Sequence, residues 1–228
     1  MARAFNNVFT FGYGAVGVVR NLCMVTVLTT GYAAADELVI AALGDSLTAG
    51  YGLSQGDGFV PQMDAWLEGQ GIEVDLRNAG VSGDTTAGGL SRVDWTLTPD
   101  VDGMIVALGG NDYLRGLDPA GSRANLRRIL EVAASKDVDV MLVGLRAGSN
   151  YGPEYQTAFN AMYSELAAEF DVPLFPGFFQ GLQAVAGMQD GVSEYMQRDG
   201  IHPNADGVKV IVAAMGPDVL TFAKGLAD

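Results

Sequence analysis

Apolar residues recur along the chain in two patterns that alternate with each other. Leu38 to Leu43 form a continuous apolar run that ends before a glycine, as expected of a strand buried on both faces. Met104 to Leu108 has the same character, Val138 to Val143 is apolar except for Asp139, and Val74 to Leu76 is a weaker example. Each of these runs is a predicted β-strand.

Helical periodicity fills the segments between these runs. One helix is predicted over Phe59 to Leu67, and a second starts at a Ser122 cap and has apolar residues at spacings of three and four. A third helix carries an apolar stripe from Tyr155 to Phe170. The last helix has Pro203 in its first turn, and we expect it to break or kink at Gly216-Pro217.

Strands that alternate with helices predict an α/β domain whose mostly parallel sheet is covered by helices on both faces. Sheets of this kind carry their functional sites at the carboxyl ends of the strands. The candidate functional residues are therefore expected directly after Leu43, Leu76, Leu108 and Val143.

The first 35 residues differ from the rest of the chain. Met1–Ala35 contain no acidic residue, and their only charges are two arginines. A short apolar stretch precedes the small residues Ala33-Ala34-Ala35, which predicts an export signal over 1–35 and a periplasmic or secreted domain over 36–228. The stretch is too short for a membrane helix, which needs roughly 20 apolar residues.

Charge and composition exclude several classes of function. Lys and Arg number 13 against 27 Asp and Glu, so the net charge of −14 argues against binding to nucleic acid or anionic membranes and favours a small neutral or amphipathic ligand. The one cysteine, Cys23, lies in the predicted signal, so the exported domain has no disulfide. A metal site built on several histidines is excluded because His202 is the single histidine. We favour a monomer without stable membrane insertion.

Glycines beside small polar residues follow three of the predicted strands. The first strand is followed by Gly44-Asp45-Ser46-Leu47, the second by a loop containing Gly83, and the third by Gly109-Gly110-Asn111-Asp112. A parallel sheet brings Ser46, Gly83 and Asn111 to one rim. A fourth loop, Asp199 to Asn204, precedes the last helix and holds the histidine.

These residue types are the ones that acyl transfer needs. A serine hydroxyl is a poor nucleophile until a base takes its proton, and His202 is the available imidazole. Asp199 is placed to accept the Nδ1–H of His202 and leave Nε2 facing Ser46. The Ser46 N–H, the Gly83 N–H and the Asn111 amide are candidate donors to the oxyanion that forms during the reaction. This chemistry requires no cofactor.

Taken singly, each residue also has a structural interpretation. Ser46 resembles a helix cap, Gly83 a turn glycine, Asn111 a loop residue bonded to its own backbone, and His202 a structural histidine. The combination of four loops, each with a residue type that acyl transfer uses, favours the catalytic interpretation. The acids beside the site, Asp45 and Asp112, are predicted to be structural and to accept hydrogen bonds from loop N–H groups.

The four motifs Gly44-Asp45-Ser46-Leu47, Gly83, Gly110-Asn111-Asp112 and Asp199-x-x-His202 resemble, in order, the blocks of the SGNH (GDSL) hydrolase family. The surrounding loops are similar to those of its thioesterase I, lysophospholipase L1 and arylesterase subgroup. The resemblance implies a flavodoxin-like three-layer α/β/α fold and broad activity on acyl esters and thioesters. It also implies Ser46 as nucleophile, His202 as base, Asp199 as its partner, and an oxyanion hole of Ser46, Gly83 and Asn111.

A small acyl ester, thioester or lysophospholipid substrate needs an apolar groove. Residues in or near the loops that are predicted to line it are Tyr113, Leu114, Tyr151, Phe178, Phe179, Met188 and Met196. Two alternatives stay open at this point. A carbohydrate acetyl esterase would use the same motifs with a more polar groove. A non-enzymatic flavodoxin-like module would instead bind an anion at the glycine loops or carry a phosphate on Asp45.

Overall fold

The computed structural model describes residues 37–186 and 192–227. The predicted export signal and Met188 lie outside these residues. The strands are β1 (Leu38–Gly44), β2 (Val74–Gly80), β3 (Gly103–Ala107), β4 (Asp139–Val143) and β5 (Leu174–Phe175). The α-helices are α1 (Ser46–Ala49), α2 (Phe59–Gly69), α3 (Thr86–Thr96), α4 (Gly110–Leu114), α5 (Pro119–Ala134), α6 (Pro153–Phe170), α7 (Gln180–Ala186) and α8 (Ala205–Leu226).

All five strands of the described sheet run parallel, in the order β2-β1-β3-β4-β5. The chain leaves β1 in one direction to form β2 and then crosses over β1 to form β3. The carboxyl ends of these three strands are level, because Gly44 lies opposite Gly80 on one side and Ala107 on the other. This reversal of direction is the point where flavodoxin-like sheets bind their ligands.

The helices cover both faces of the sheet because right-handed crossovers in opposite directions place their helices on opposite faces. Helix α2 packs with α8, while α3 and α6 both pack with α5. The predicted α/β architecture is confirmed. Within the described ranges, no helix combines the length and the apolar character needed to cross a bilayer.

The two weakest strands in the sequence lie at the edges of this sheet. Strand β2 extends well beyond the predicted segment Val74 to Leu76. Its polar residues Asp75, Arg77 and Asn78 are half-buried or exposed, and Arg77 forms an ion pair with Asp75. An edge strand with one partner tolerates such polar residues. Strand β5 has two residues, which is too short to give a periodic pattern.

The start of α5 differs from the sequence prediction. Asp118 caps this helix by accepting a hydrogen bond from the Ala120 N–H at 3.0 Å, and Pro119 is its first residue. Ser122 lies inside the helix, is buried, and donates its hydroxyl to Asp112 at 2.7 Å. The predicted Ser122 cap is therefore wrong, since the Asp-Pro pair upstream provides both the cap and a preset first turn.

Helix α8 also differs from its prediction at both positions that involve proline. Asn204 caps it by accepting from the Gly207 N–H at 2.9 Å, so Pro203 precedes the helix rather than lying in its first turn. The helix then continues without a break through Pro217 to Leu226. Proline removes a backbone hydrogen bond there, but Gly216 packs directly against the Trp66 ring, and Met215 and Val219 on either side of the Gly216-Pro217 pair are buried. Tertiary packing thus outweighs the local preference to break.

Candidate active site

Ser46 stands at the carboxyl end of the central strand β1. The strand is buried as far as Gly44, where a Cβ would lie 1.9 Å from the Thr48 Oγ1, so the tight turn into α1 requires glycine. Asp45 is the N-cap of α1 and accepts from the Leu47 N–H at 3.0 Å. Because Asp45 performs the capping, the half-buried Ser46 hydroxyl is not needed as a helix cap.

His202 reaches Ser46 from a loop that lies 156 residues further along the chain. Its Nε2 is 2.8 Å from the Ser46 Oγ, and its Nδ1 is 2.7 Å from the Asp199 Oδ2. Gly200, at a φ of 68°, turns the short loop between acid and base, and glycine adopts this left-handed conformation without steric cost. The three side chains therefore form one continuous hydrogen-bonded chain.

Asp199 is held in its ionised form by several donors. Hydrogen bonds from His202 and from the backbone N–H groups of Ile201 and His202 lower the pKa of Asp199 to about 2. An ionised carboxylate can only accept, so the facing Nδ1 of His202 carries the hydrogen. Neutral His202 then presents an unprotonated Nε2 to the Ser46 hydroxyl, which is the arrangement a general base requires.

Candidate oxyanion donors surround the same hydroxyl. The N–H groups of Ser46 and Gly83 have no acceptor among the described residues. Gly83 has a φ of 86°, and its carbonyl accepts from the Arg115 side chain at 2.8 Å, which fixes the orientation of the loop. Both N–H groups are therefore available to a ligand.

The Asn111 side chain is bonded more tightly than the sequence suggests. Its Nδ2 donates to the Asp84 carbonyl at 2.9 Å and lies 3.4 Å from the Asp45 Oδ2. The first contact is a well-formed hydrogen bond, while the second exceeds the usual distance. The hydrogen bond to Asp84 thus orients the Asn111 amide, and the long contact leaves its other hydrogen only weakly engaged.

Two buried acids support the loops at this rim, as expected from the sequence. Asp112, 1% exposed, accepts hydrogen bonds from the Thr86 N–H at 2.8 Å, the Thr86 hydroxyl at 2.6 Å and the Ser122 hydroxyl at 2.7 Å. It thereby joins α3, α4 and α5 behind Asn111. Burial raises the pKa of Asp45 to about 6, with the backbone hydrogen bond from Leu47 opposing this shift.

Arg92 is a site-building residue that the sequence pattern does not reveal. Its guanidinium pairs with Asp84 at 2.6 Å and donates to the Ala79 carbonyl at 2.6 Å and the Gly44 carbonyl at 2.8 Å. It therefore ties the ends of β1 and β2 to the loop that follows Gly83. In the sequence Arg92 is an ordinary charged helical position, because its partners come together only in the folded protein.

A pocket of about 540 Å³ opens beside Ser46 and His202. Of the predicted groove residues, Tyr113, Leu114, Phe179 and Met196 line it. Tyr151 does not, and instead packs edge-on against Tyr113 with ring centroids 6.0 Å apart. The sequence did not single out several other apolar residues of the lining as groove residues: Leu47, Leu145, Phe159, Leu182 and Ile201.

Phe178 is wrongly predicted as a groove residue. It is 1% exposed and packs in the core against Phe59, with ring centroids 5.4 Å apart. Its neighbour Phe179 is half-buried and does line the pocket. The two side chains point in opposite directions. Because both residues are phenylalanine, the sequence does not show which of them faces the core and which faces the pocket.

Few charged groups face this pocket. Arg146 is the one permanently cationic side chain among the described lining residues, and it has no acidic partner within the described chain. Within those ranges no group of three or more His, Cys, Asp or Glu side chains is placed to hold a metal ion. The arrangement is chemically suited to acyl transfer by a serine nucleophile next to an apolar pocket.

Comparison with known proteins relates this chain to a family. Residues 42–210 match the GDSL-like lipase/acylhydrolase family. The chain is 39% identical over 182 residues to Esterase TesA of Pseudomonas aeruginosa, covering 79% of this chain and 86% of that protein. It is 38% identical over 204 residues to thioesterase 1/protease 1/lysophospholipase L1 of Escherichia coli, covering 89% and 88% respectively. The crystal structure of AlinE4, an SGNH-hydrolase family esterase, matches with a TM-score of 0.66 and 42% identity, over 82% of this chain and 97% of that one.

Proposed function

The chain belongs to the GDSL-like lipase/acylhydrolase family and hydrolyses acyl ester and thioester bonds, and from this premise we propose that Ser46 is its nucleophile. His202 takes the proton of the Ser46 hydroxyl as the serine oxygen attacks the acyl carbonyl carbon. The alcohol or thiol leaves with the proton from His202. Water, deprotonated by the same imidazole, then hydrolyses the acyl-enzyme and restores Ser46.

The observation that supports this proposal best is the unbroken chain of contacts from Asp199 to Ser46. The two hydrogen bonds of 2.7 and 2.8 Å give the base its tautomer and bring it to the nucleophile. The N–H groups of Ser46 and Gly83 and the Asn111 amide serve as the oxyanion hole, where preorganised donors stabilise the charge that develops on the carbonyl oxygen.

We infer from the pocket that the acyl part of the substrate is apolar. The lining is dominated by leucine, methionine, isoleucine and aromatic side chains, which favours an acyl chain over an acetylated carbohydrate. Arg146 at the pocket supports substrates with a negatively charged group, such as the phosphate of a lysophospholipid. The family membership removes the alternative of a non-enzymatic binding module.

The nucleophile is tested with a fluorophosphonate probe on the protein without residues 1–35. Labelling and ester hydrolysis are expected to disappear in Ser46→Ala. Ser82 also lines the pocket, so Ser82→Ala is the matched control and should still be labelled. If a folded Ser46→Ala protein keeps its label and its activity, the assigned nucleophile is wrong.

The substrate class is tested by comparing p-nitrophenyl acetate, p-nitrophenyl octanoate, a lysophospholipid and acetylated xylan. We expect octanoate and the lysophospholipid to be hydrolysed with the highest kcat/KM. Arg146→Ala should lower kcat/KM for the lysophospholipid while leaving p-nitrophenyl octanoate unchanged. A preference for acetylated xylan would instead assign the protein to the carbohydrate esterases.

We further propose that the domain is exported, on the basis of the acid-free, apolar segment that ends in Ala33-Ala34-Ala35. Expression of the full chain in a Gram-negative bacterium, followed by fractionation and N-terminal sequencing, tests this proposal. The expected result is a periplasmic or secreted protein that begins near Asp36. A cytoplasmic protein that retains Met1 would contradict it.

A further inference from the structure

The base and the nucleophile lie on segments that are far apart in sequence, and a specific residue bridges them. Ser46 is fixed by β1 and α1, whereas His202 lies in the loop between Gln197 and α8. That loop is closed on itself by an isolated antiparallel bridge between Met196 and Pro203. Closing the loop does not by itself set its distance from Ser46, so that distance depends on contacts between the two segments.

Gln197 makes these contacts with both its backbone and its side chain. Its N–H donates to the His202 carbonyl at 2.7 Å, which fixes the backbone of the base. Its side-chain Nε2 donates to the Tyr51 carbonyl at 2.7 Å and to the Pro203 carbonyl at 3.0 Å. The two hydrogens of one amide are therefore divided between the nucleophile segment and the histidine loop.

Tyr51 and Gly52 are shaped to receive this bridge. The Tyr51 ring packs on the His202 ring, with centroids 4.6 Å apart and planes inclined by 39°. Gly52 has a φ of 74°, and a Cβ there would lie 2.3 Å from the Gln197 Oε1. The left-handed backbone favours glycine at this position, and the absence of a Cβ leaves room for the Gln197 amide.

We propose that Gln197 is a positioning residue that sets the distance between His202 Nε2 and Ser46 Oγ. The proposal rests on the assignment of Ser46 and His202 as nucleophile and base. Gln197 is absent from the pocket lining, so it acts through His202 and not on the substrate. A displacement of about 1 Å between reacting groups can lower a rate by on the order of 100-fold, so loss of the bridge affects kcat.

Gln62 provides a matched control for this proposal. Its Nε2 also donates to two carbonyls, those of Asp57 at 2.8 Å and Ala205 at 3.0 Å, and so it joins the same two parts of the chain. Neither of these two hydrogen bonds involves Tyr51, His202 or Pro203. Removing either glutamine side chain breaks two similar bonds, but only one of the bridges reaches the base.

The experiment compares Gln197→Ala and Gln62→Ala in steady-state kinetics with p-nitrophenyl octanoate, in fluorophosphonate labelling and in thermal unfolding. For Gln197→Ala we expect kcat and the labelling rate to fall about 10- to 100-fold with KM within about twofold. Gln62→Ala should keep kcat within about twofold despite a similar loss of stability. A residue that only stabilises the fold would not lower kcat while KM stays unchanged, and its effect on kcat would not exceed that of a control variant with the same loss of stability.

Gly52→Ala is a second variant, which retains Gln197 but moves its side-chain amide, because the added Cβ would lie 2.3 Å from the Gln197 Oε1. It should lower kcat in the same direction as Gln197→Ala, and it keeps the test decisive if Gln197→Ala does not fold. The proposal is overturned if folded Gln197→Ala and Gly52→Ala proteins keep kcat within twofold of the wild type. It is also overturned if kcat falls as far in Gln62→Ala as in Gln197→Ala. Residual activity in Ser46→Ala would instead refute the proposed nucleophile, so the two failures are distinguishable.

Discussion

Replacing Asp45 by an asparagine should change how the stability of the protein depends on pH. Asp45 is 2% exposed, and burial raises the pKa of its carboxyl from 3.8 to about 6. The folded protein therefore binds a proton at Asp45 more tightly than the unfolded chain does. An asparagine keeps an oxygen that can accept from the Leu47 N–H but carries no charge.

The size of the effect follows from the shift in pKa. Each unit corresponds to about 1.4 kcal/mol, so a shift from 3.8 to about 6 corresponds to about 3 kcal/mol. A carboxyl whose pKa is raised on folding contributes stability below its unfolded pKa, and that contribution is lost as the pH rises through the folded pKa. The wild type should accordingly lose about 2 kcal/mol of this contribution between about pH 4 and pH 7, because part of it is already lost at pH 4.

Urea unfolding of the wild type and Asp45→Asn between about pH 4 and pH 7.5 measures this contribution. The free energy of unfolding of Asp45→Asn relative to the wild type should rise by about 2 kcal/mol over that range. Any repulsion between the introduced amide and the Asn111 amide does not depend on pH and cancels from the comparison. Asp100→Asn is a control whose difference from the wild type should stay nearly constant over that range, because hydrogen bonds from Arg77 and Thr98 lower the pKa of Asp100. Its contribution is present above the unfolded pKa of 3.8 and is lost only in stronger acid.

A constant difference between wild type and Asp45→Asn, within about 1 kcal/mol from about pH 4 to pH 7.5, would contradict a raised pKa of Asp45 in the folded protein. It would mean that the Asp45 carboxylate is as well stabilised in the folded protein as in water. The weak contact with Asn111 and the Leu47 N–H would then be sufficient compensation for burial.

Three further predictions concern the proposed reaction. Asn111→Ala should lower kcat by on the order of 10²–10³ in a folded protein, measured with p-nitrophenyl octanoate, because one oxyanion donor is lost. Asp199→Asn should lower kcat by on the order of 10⁴, since the wrong imidazole tautomer faces Ser46. Phe179→Ala should alter the ratio of octanoate to acetate hydrolysis, whereas Phe178→Ala should leave the ratio unchanged and cost about 3–5 kcal/mol of stability.

Each of these expectations has a contrary result. An unchanged kcat in Asn111→Ala would leave the two N–H groups as the oxyanion donors and remove the amide. A modest loss in Asp199→Asn would show that the tautomer does not depend on this acid. Equal chain-length profiles for Phe179→Ala and the wild type would place the acyl chain elsewhere in the pocket.

The pattern of residues along the chain was sufficient to predict the architecture and to identify Ser46, Asp199 and His202 as candidate site residues. Continuous apolar runs identify the strands that are buried on both faces, and a parallel sheet necessarily gathers the loops that follow them. The acid three residues before the single histidine indicates a short loop that can bond back to Nδ1. These inferences depend on local pattern and on topology, both of which are encoded along the chain.

The contacts that each side chain makes could be seen only in the tertiary structure. It placed Phe178 in the core and Phe179 at the pocket, kept α8 continuous through Pro217, and gave Ser122 a buried acceptor instead of a helix end. It also brought Gln197 to the Tyr51 carbonyl across 146 positions. A sequence pattern records whether a position prefers burial or a turn, but not which group it is buried against. That depends on contacts between distant segments, which form when the chain folds.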